Sequence, residues 1–126
     1  MIAVDTSALM AIVLDEPQAA ACVAALEAEQ QIVISAATVA ESLIVAAHRN
    51  VGEGMSRIVD GLGFTVVPVT AAAARRVAAA YARWGKGNHG AGLNFGDCLT
   101  YAVARLAERP LLFVGDDFSR TDLTSA

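Results

Sequence analysis

Lysine is nearly missing from this 126-residue chain: Lys86 is the only one, and the other positive side chains are arginines. A formal net charge of −4 excludes a protein whose whole surface attracts nucleic acid, so any such contact must be local. Histidine is almost as scarce. His48 and His89 have no serine or cysteine beside them in a triad or elbow context, which removes the usual hydroxyl and thiol nucleophile schemes, and neither is assigned as a metal ligand. The two cysteines, Cys22 in an alanine run and Cys98 after Asp97, lack the spacing of a zinc site or a disulfide framework and read as buried thiols. No window reaches the roughly 18 to 20 apolar residues of a membrane span, and no basic leader precedes an apolar core, so a soluble cytoplasmic protein is expected. A phosphate-cradling motif is also missing. The glycine-rich stretch from 85 to 96 follows a helical segment and lacks the Gly-Lys-Ser/Thr ending, which argues against nucleoside triphosphate binding.

What remains is 56% hydrophobic and of a length to form one domain over residues 1–126. Alanine-rich stretches at 19 to 28, 71 to 82 and 102 to 107 favour helix, and β-branched runs at 32 to 34 and 65 to 69 favour strand. Read in order, the chain gives a strand at 2 to 4 and a helix from Ala8 to about Leu14, with Thr6 or Ser7 as its cap. A helix starting near Pro17 and a strand at 32 to 35 follow. A helix at 37 to 49, a short helix around 55 to 60, a strand at 64 to 69 and a helix at 70 to 83 come next. Five of the ten glycines fall between Trp84 and Gly96, which reads as a surface loop. A helix opening at Asp97 and a strand at 111 to 114 complete the pattern. Helices between strands predict an α/β fold with a mainly parallel sheet covered on both faces, where ligands bind beyond the carboxyl ends of the strands.

Against this apolar background stand Asp5, Glu41, Asp97 and the adjacent pair Asp116 and Asp117, with few basic groups nearby to compensate them. Two like charges about 4 Å apart repel by roughly 4 kcal/mol at an effective dielectric near 20, so gathered carboxylates either take up protons or hold a cation. Hard oxygen donors select magnesium or manganese over zinc, and such a site can activate water for phosphodiester hydrolysis. Each acid also has a plainer use. Asp5 suits a helix N-cap, Asn94 with Asp97 imitates a capping box, and one aspartate of the 116/117 pair suits a turn after Gly115. Glu41 is the hardest to explain in that way, because it shares a helical stripe with Ala37, Ile44, Val45 and His48 and is expected among apolar side chains. Thr6 and Ser7 are helix caps that could also orient a water or a phosphate, and Asn94 has the same double use. Trp84, Lys86 and His89 together offer a stacking surface for a base, while Arg75, Arg76 and Arg83 read as a solvated helix face.

The opening Val-Asp-Thr-Ser-Ala, the helical Ala-Glu-Ser, Leu-Asn-Phe-Gly-Asp-Cys-Leu-Thr-Tyr-Ala, and Leu-Leu-Phe-Val-Gly-Asp-Asp-Phe resemble, in order and spacing over the whole chain, PIN-domain ribonucleases of the VapC toxin type. The resemblance implies a PIN-like three-layer α/β/α fold and a magnesium-dependent endoribonuclease, with manganese as a substitute metal. It places Asp5, Glu41 and Asp97 on the family's acidic positions and leaves the fourth to Asp116 or Asp117. It also implies homodimers, an RNA substrate and a cognate antitoxin that inserts an arginine near the acids. Two other classes stay open: a non-catalytic interaction module that keeps the acids only to receive a partner's arginine, and a phosphoacceptor domain, which needs a lysine beyond a late strand.

Overall fold

A computed structural model describes all residues, 1–126. Short runs of Ile, Val and Leu form four parallel strands: β1 (Ile2–Val4), β2 (Ile32–Ser35), β3 (Thr65–Val67) and β4 (Leu111–Leu112). They lie in the order β3-β2-β1-β4. The chain therefore runs outward from β1 through β2 to β3 and returns to the other side of β1, which puts the topological switch point between β1 and β4.

Strand alternation sends successive side chains to opposite faces, and each face finds its own cover. Ala3, Val33 and Leu111 pack with Val77, Ala80, Leu99 and Ala102 of two helices, α5 (Ala71–Trp84) and α6 (Phe95–Ala107). Ile2, Val4, Ile32, Ile34 and Leu112 point the other way. They meet Leu9, Cys22, Ala46 and Met55 from α1 (Thr6–Val13), α2 (Ala19–Glu27), α3 (Ala36–His48) and α4 (Gly52–Gly61). The α/β/α layering and the parallel sheet agree with the expectation. Cys22 and Cys98 are buried free thiols, and no helix is long and apolar enough to cross a membrane.

Several local expectations need correction. Asp5, not Thr6 or Ser7, is the N-cap of α1: its backbone is extended and its carboxylate accepts from the Ser7 N–H at 3.0 Å. α2 begins at Ala19 and not near Pro17, because Asp15 adopts a left-handed φ of 52° that ends α1, and the Ala19 N–H closes a turn on the Glu16 carbonyl. Gly52 and Gly54 lie inside α4, which is longer than expected, while β3 and β4 are shorter. The stretch from 84 to 96 is a surface loop only in its middle, exposed over 86 to 90. Trp84 and Leu93 are buried at its two ends, Gly85 bridges to Leu93, and α6 already starts at Phe95. On α3 the stripe that carries Glu41 faces outward, with Ile44 59% exposed and Val45 and His48 exposed as well.

Phe118 closes the structure behind β4. It is buried, meets Phe113 edge to face at 5.3 Å between ring centroids, and follows Asp117 directly. Phe118→Ala is expected to lower the unfolding free energy by about 3–5 kcal/mol. Phe95→Ala, at a position 69% exposed, is expected to change it by under about 0.5 kcal/mol. Denaturant titration of both variants checks the contrast.

Candidate active site

Asp5 stands where β1 ends and α1 begins, at the carboxyl edge of the sheet beside the switch point. Its N–H donates to the Leu112 carbonyl at 3.0 Å, which ties it to β4. The side chain is only 6% exposed, yet no cation reaches it. Donors replace water instead: the Ser7 N–H on Oδ2 at 3.0 Å and the Thr100 hydroxyl on Oδ1 at 2.8 Å. Thr100 lies three residues beyond Asp97, on the same side of α6, so one helical turn carries both the support of Asp5 and the next acid.

Asp97 is the third residue of α6 and forms a capping box with Asn94. The Asp97 N–H donates to Asn94 Oδ1 at 2.8 Å, and the Asn94 N–H donates to Asp97 Oδ2 at 3.0 Å. Burial pushes the Asp97 carboxyl up from 3.8 to about 6; the Asn94 N–H opposes the rise, and the negative charges of Asp117, Asp5 and Glu41 add to it. Four carboxylates therefore share one electrostatic neighbourhood.

Glu41 comes from the second turn of α3. Its Oε1 accepts from the Thr6 hydroxyl at 2.6 Å, and its other oxygen lies so close to Gly96 that a Cβ there would overlap it. Ser42 is buried beside it, with one hydroxyl proton facing two acceptors, Thr6 Oγ1 at 3.2 Å and the Thr38 carbonyl at 2.8 Å. Thr38 and Thr100 meet at 3.5 Å between hydroxyl oxygens. A buried run of hydroxyls, Thr100, Thr38, Ser42 and Thr6, thus lies between Asp5 and Glu41.

The pair after β4 divides. Gly115 has a φ of +101°, which only glycine adopts freely, and turns the chain back. The Asp116 carbonyl accepts from the Ser119 N–H at 3.2 Å and the Ser119 hydroxyl at 2.6 Å, so Asp116 builds the turn. Asp117 is the member whose charge adds to the rise at Asp97. Ser7 holds the approach to this turn, its Oγ accepting from the Val114 N–H at 3.0 Å.

Residues 2–123 match the PIN domain. The chain belongs to the PIN-domain family. Among curated relatives it is 48% identical over 124 residues to a VapC ribonuclease of Mycobacterium bovis, covering 95% of this chain and 89% of that one. Ribonuclease VapC36 of Mycobacterium tuberculosis matches at the same identity and coverage. Ribonuclease VapC30 of the same species is 41% identical over 126 residues, covering 97% of this chain and 95% of its own. The crystal structure of Mycobacterium tuberculosis VapC20, described as a sarcin-ricin loop cleaving toxin, superposes with a TM-score of 0.81 at 17% identity, over 100% of this chain and 98% of that chain. A toxin-antitoxin complex from Klebsiella pneumoniae gives 0.72 at 20% identity, over 100% and 97%. At these identities the two structures establish the likeness of fold.

In this PIN domain the donor set can be tested against the divalent metal that the family implies. No three acidic, histidine or cysteine side chains are gathered tightly enough to grip one ion among themselves. Magnesium is commonly held by one or two carboxylates with water completing its octahedron, so carboxylates without a cationic partner suit magnesium or manganese by donor type. His48 is exposed, and His89 packs edge-on against Trp84 at 4.7 Å while its Nδ1 accepts from the Ala91 N–H. Thr38, Ser42, Thr100 and Gly96 are the residues that the sequence reading missed. Their signal was a hydroxyl beside Glu41, another one turn after Asp97, and a glycine inside the first turn of a helix.

Asp97 makes the site's charge measurable. Its carboxyl binds a proton more tightly folded than unfolded, so the stability it contributes is fully present below about pH 4 and is lost as pH rises to about 6. In chelator, the expected loss across that window is about 1 kcal/mol after screening by solvent, and Asp97→Asn removes it. Denaturant unfolding at a series of pH values measures both.

Proposed function

We propose that this chain is a metal-dependent endoribonuclease, the toxin of a toxin-antitoxin pair, which hydrolyses RNA phosphodiester bonds with water as the nucleophile. The observation that carries the reading is the group of four carboxylates, Asp5, Glu41, Asp97 and Asp117, collected at the sheet's carboxyl edge without a single ion-pairing arginine or lysine. Relatives named ribonucleases at 41–48% identity support the substrate class, and the Klebsiella pneumoniae complex supports an antitoxin as partner.

In this reading magnesium, or manganese in its place, would be held by one or two of Asp5, Glu41, Asp97 and Asp117 directly and by the others through its water, and Asp116 serves the turn. The bound ion supplies Lewis-acid stabilisation of the charge that develops on the phosphodiester and eases loss of a proton from the attacking water. The other residues position. Thr6 fixes the Glu41 carboxylate, Asn94 fixes Asp97 through the capping box, and Ser7 fixes the segment that leads to Asp117. Thr100 holds Asp5 by donating to its Oδ1, so that oxygen keeps a partner in a buried place. We extend the proposal to a single domain over residues 1–126, acting in the cytoplasm as a homodimer until the antitoxin covers the acids.

The test is cleavage of RNA by the purified chain, freed of any antitoxin. Magnesium should permit cutting and a chelator should abolish it. Asp5→Asn, Asp97→Asn and Asp117→Asn should each lower the rate about a hundredfold or more with circular dichroism unchanged, because each removes a charged ligand and preserves shape. Asp116→Asn should stay within a few-fold of the parent. Undiminished cutting by Asp5→Asn or Asp97→Asn overturns the site.

A further inference from the structure

The tryptophan that the sequence offered for stacking is unavailable. Trp84 is 7% exposed, wedged between His89, Tyr101 at 6.2 Å between ring centroids, and the Arg83 guanidinium at 4.5 Å from its ring. Two other aromatic rings face solvent. Phe95 is 69% exposed and directly follows Asn94, the cap that holds Asp97; Tyr81 is 39% exposed on α5. Both line an open depression of about 590 Å³ with Ala74, Val77, Ala78, Asn94 and Lys86. The small side chains of Ala74 and Ala78 leave room for a planar group, and Lys86, the chain's only lysine, has no carboxylate partner.

The depression is also built on a pinned segment. The Tyr81 hydroxyl donates to the Lys86 carbonyl at 3.3 Å, and the Asn88 side-chain amide donates to the Tyr81 carbonyl at 3.1 Å. Gly85 passes so close to the Tyr81 ring and carbonyl that no Cβ fits. Exposed single apolar residues are common on proteins. Here two aromatics and a cation without a carboxylate partner share the depression with Asn94, the residue that holds Asp97.

We propose that the depression between α5 and the first turn of α6 is a subsite for single-stranded RNA, in which Phe95 and Tyr81 stack an unpaired base of the bound strand and Lys86 takes a neighbouring phosphate. The inference rests on the ribonuclease reading for its ligand. Every base has a π-face, so the subsite selects for strandedness more than for sequence.

Binding of a fluorescent single-stranded RNA of about ten nucleotides tests it, with the full chain carrying Asp97→Asn and with chelator present so that no cutting intervenes. Phe95→Ala should weaken single-strand binding about tenfold and Phe95→Trp should restore it, while binding of the fully paired duplex stays unchanged. Lys86→Gln should lower the slope of log affinity against log salt by about one. Equal single-strand affinity in parent and Phe95→Ala overturns the subsite. So does a Phe95→Ala chain that sediments as a monomer where the parent is a dimer while RNA affinity is unchanged, since the patch would then join two copies. Binding and cutting separate the two readings: a parent that cuts no RNA yet loses single-strand affinity on Phe95→Ala sinks the ribonuclease and keeps the subsite. A parent that cuts RNA while Phe95→Ala binds equally well sinks the subsite alone.

Discussion

Negative charge held against negative charge is the constraint around which this fold is arranged. Asp5, Glu41, Asp97 and Asp117 come from four separate segments, and the only ion pairs in the molecule lie elsewhere, at the N-terminus and around Asp122. In a low-dielectric setting such a group is stable only if each oxygen is met by a donor or the charge is removed. Donors meet part of this charge: hydroxyl and amide groups on Asp5 and Glu41, and the Asn94 N–H on Asp97, whose carboxyl is still raised by burial to about 6.

The hydroxyl run from Thr100 to Thr6 is therefore more than packing. A methyl group in place of any of these hydroxyls would preserve much of the volume and remove a donor or acceptor in the dry space between two carboxylates. Ser42 illustrates the economy: backbone carbonyls in helices accept easily, and its hydroxyl oxygen lies closer to the Thr38 carbonyl than to Thr6 Oγ1. Thr6 gives its own proton to Glu41 at 2.6 Å and has its lone pairs free to accept from Ser42. Serines and threonines inside apolar helices usually bend back to the preceding turn. In this chain one does, and its neighbours turn to the acids.

What the sequence made legible follows from which forces are local. The parallel sheet, the order of helices, Asp5 at a strand end and the Asn94–Asp97 box depend on periodicity and capping, which act within a few residues. Burial is a tertiary property, and the reading, right for Cys22 and Cys98, failed elsewhere. Glu41 does share a stripe with Ile44 and Val45, but periodicity gives the stripe and not the direction it faces; α3 turns it outward, and the carboxylate is covered by Thr6 and Gly96 from other segments. Trp84 was taken for an exposed ring because glycines follow it, yet the same glycines let the chain fold back and bury it. The choice between Asp116 and Asp117 could not be read from composition, since it depends on the turn that the positive φ of Gly115 makes and on which of the two charges then acts on Asp97.

The first turn of α6 shows how much one local choice decides. A helix rotates about 100° per residue, so Phe95, Gly96, Asp97 and Cys98 must face four directions. Phe95 goes to solvent, Gly96 lies against the Glu41 carboxylate, Asp97 joins the acids and Cys98 enters the core. Shifting the helix start by one residue would put phenylalanine against Glu41 and an aspartate in the apolar core. Asn94 prevents this by fixing the start with two hydrogen bonds to Asp97, at 2.8 and 3.0 Å. The positive end of the helix dipole favours the carboxylate there, and burial with three like charges outweighs it, since the net displacement of the Asp97 carboxyl is upward. A cap that would elsewhere serve only helix stability here sets the register of the acid, the glycine that admits its neighbour, and the exposed ring together.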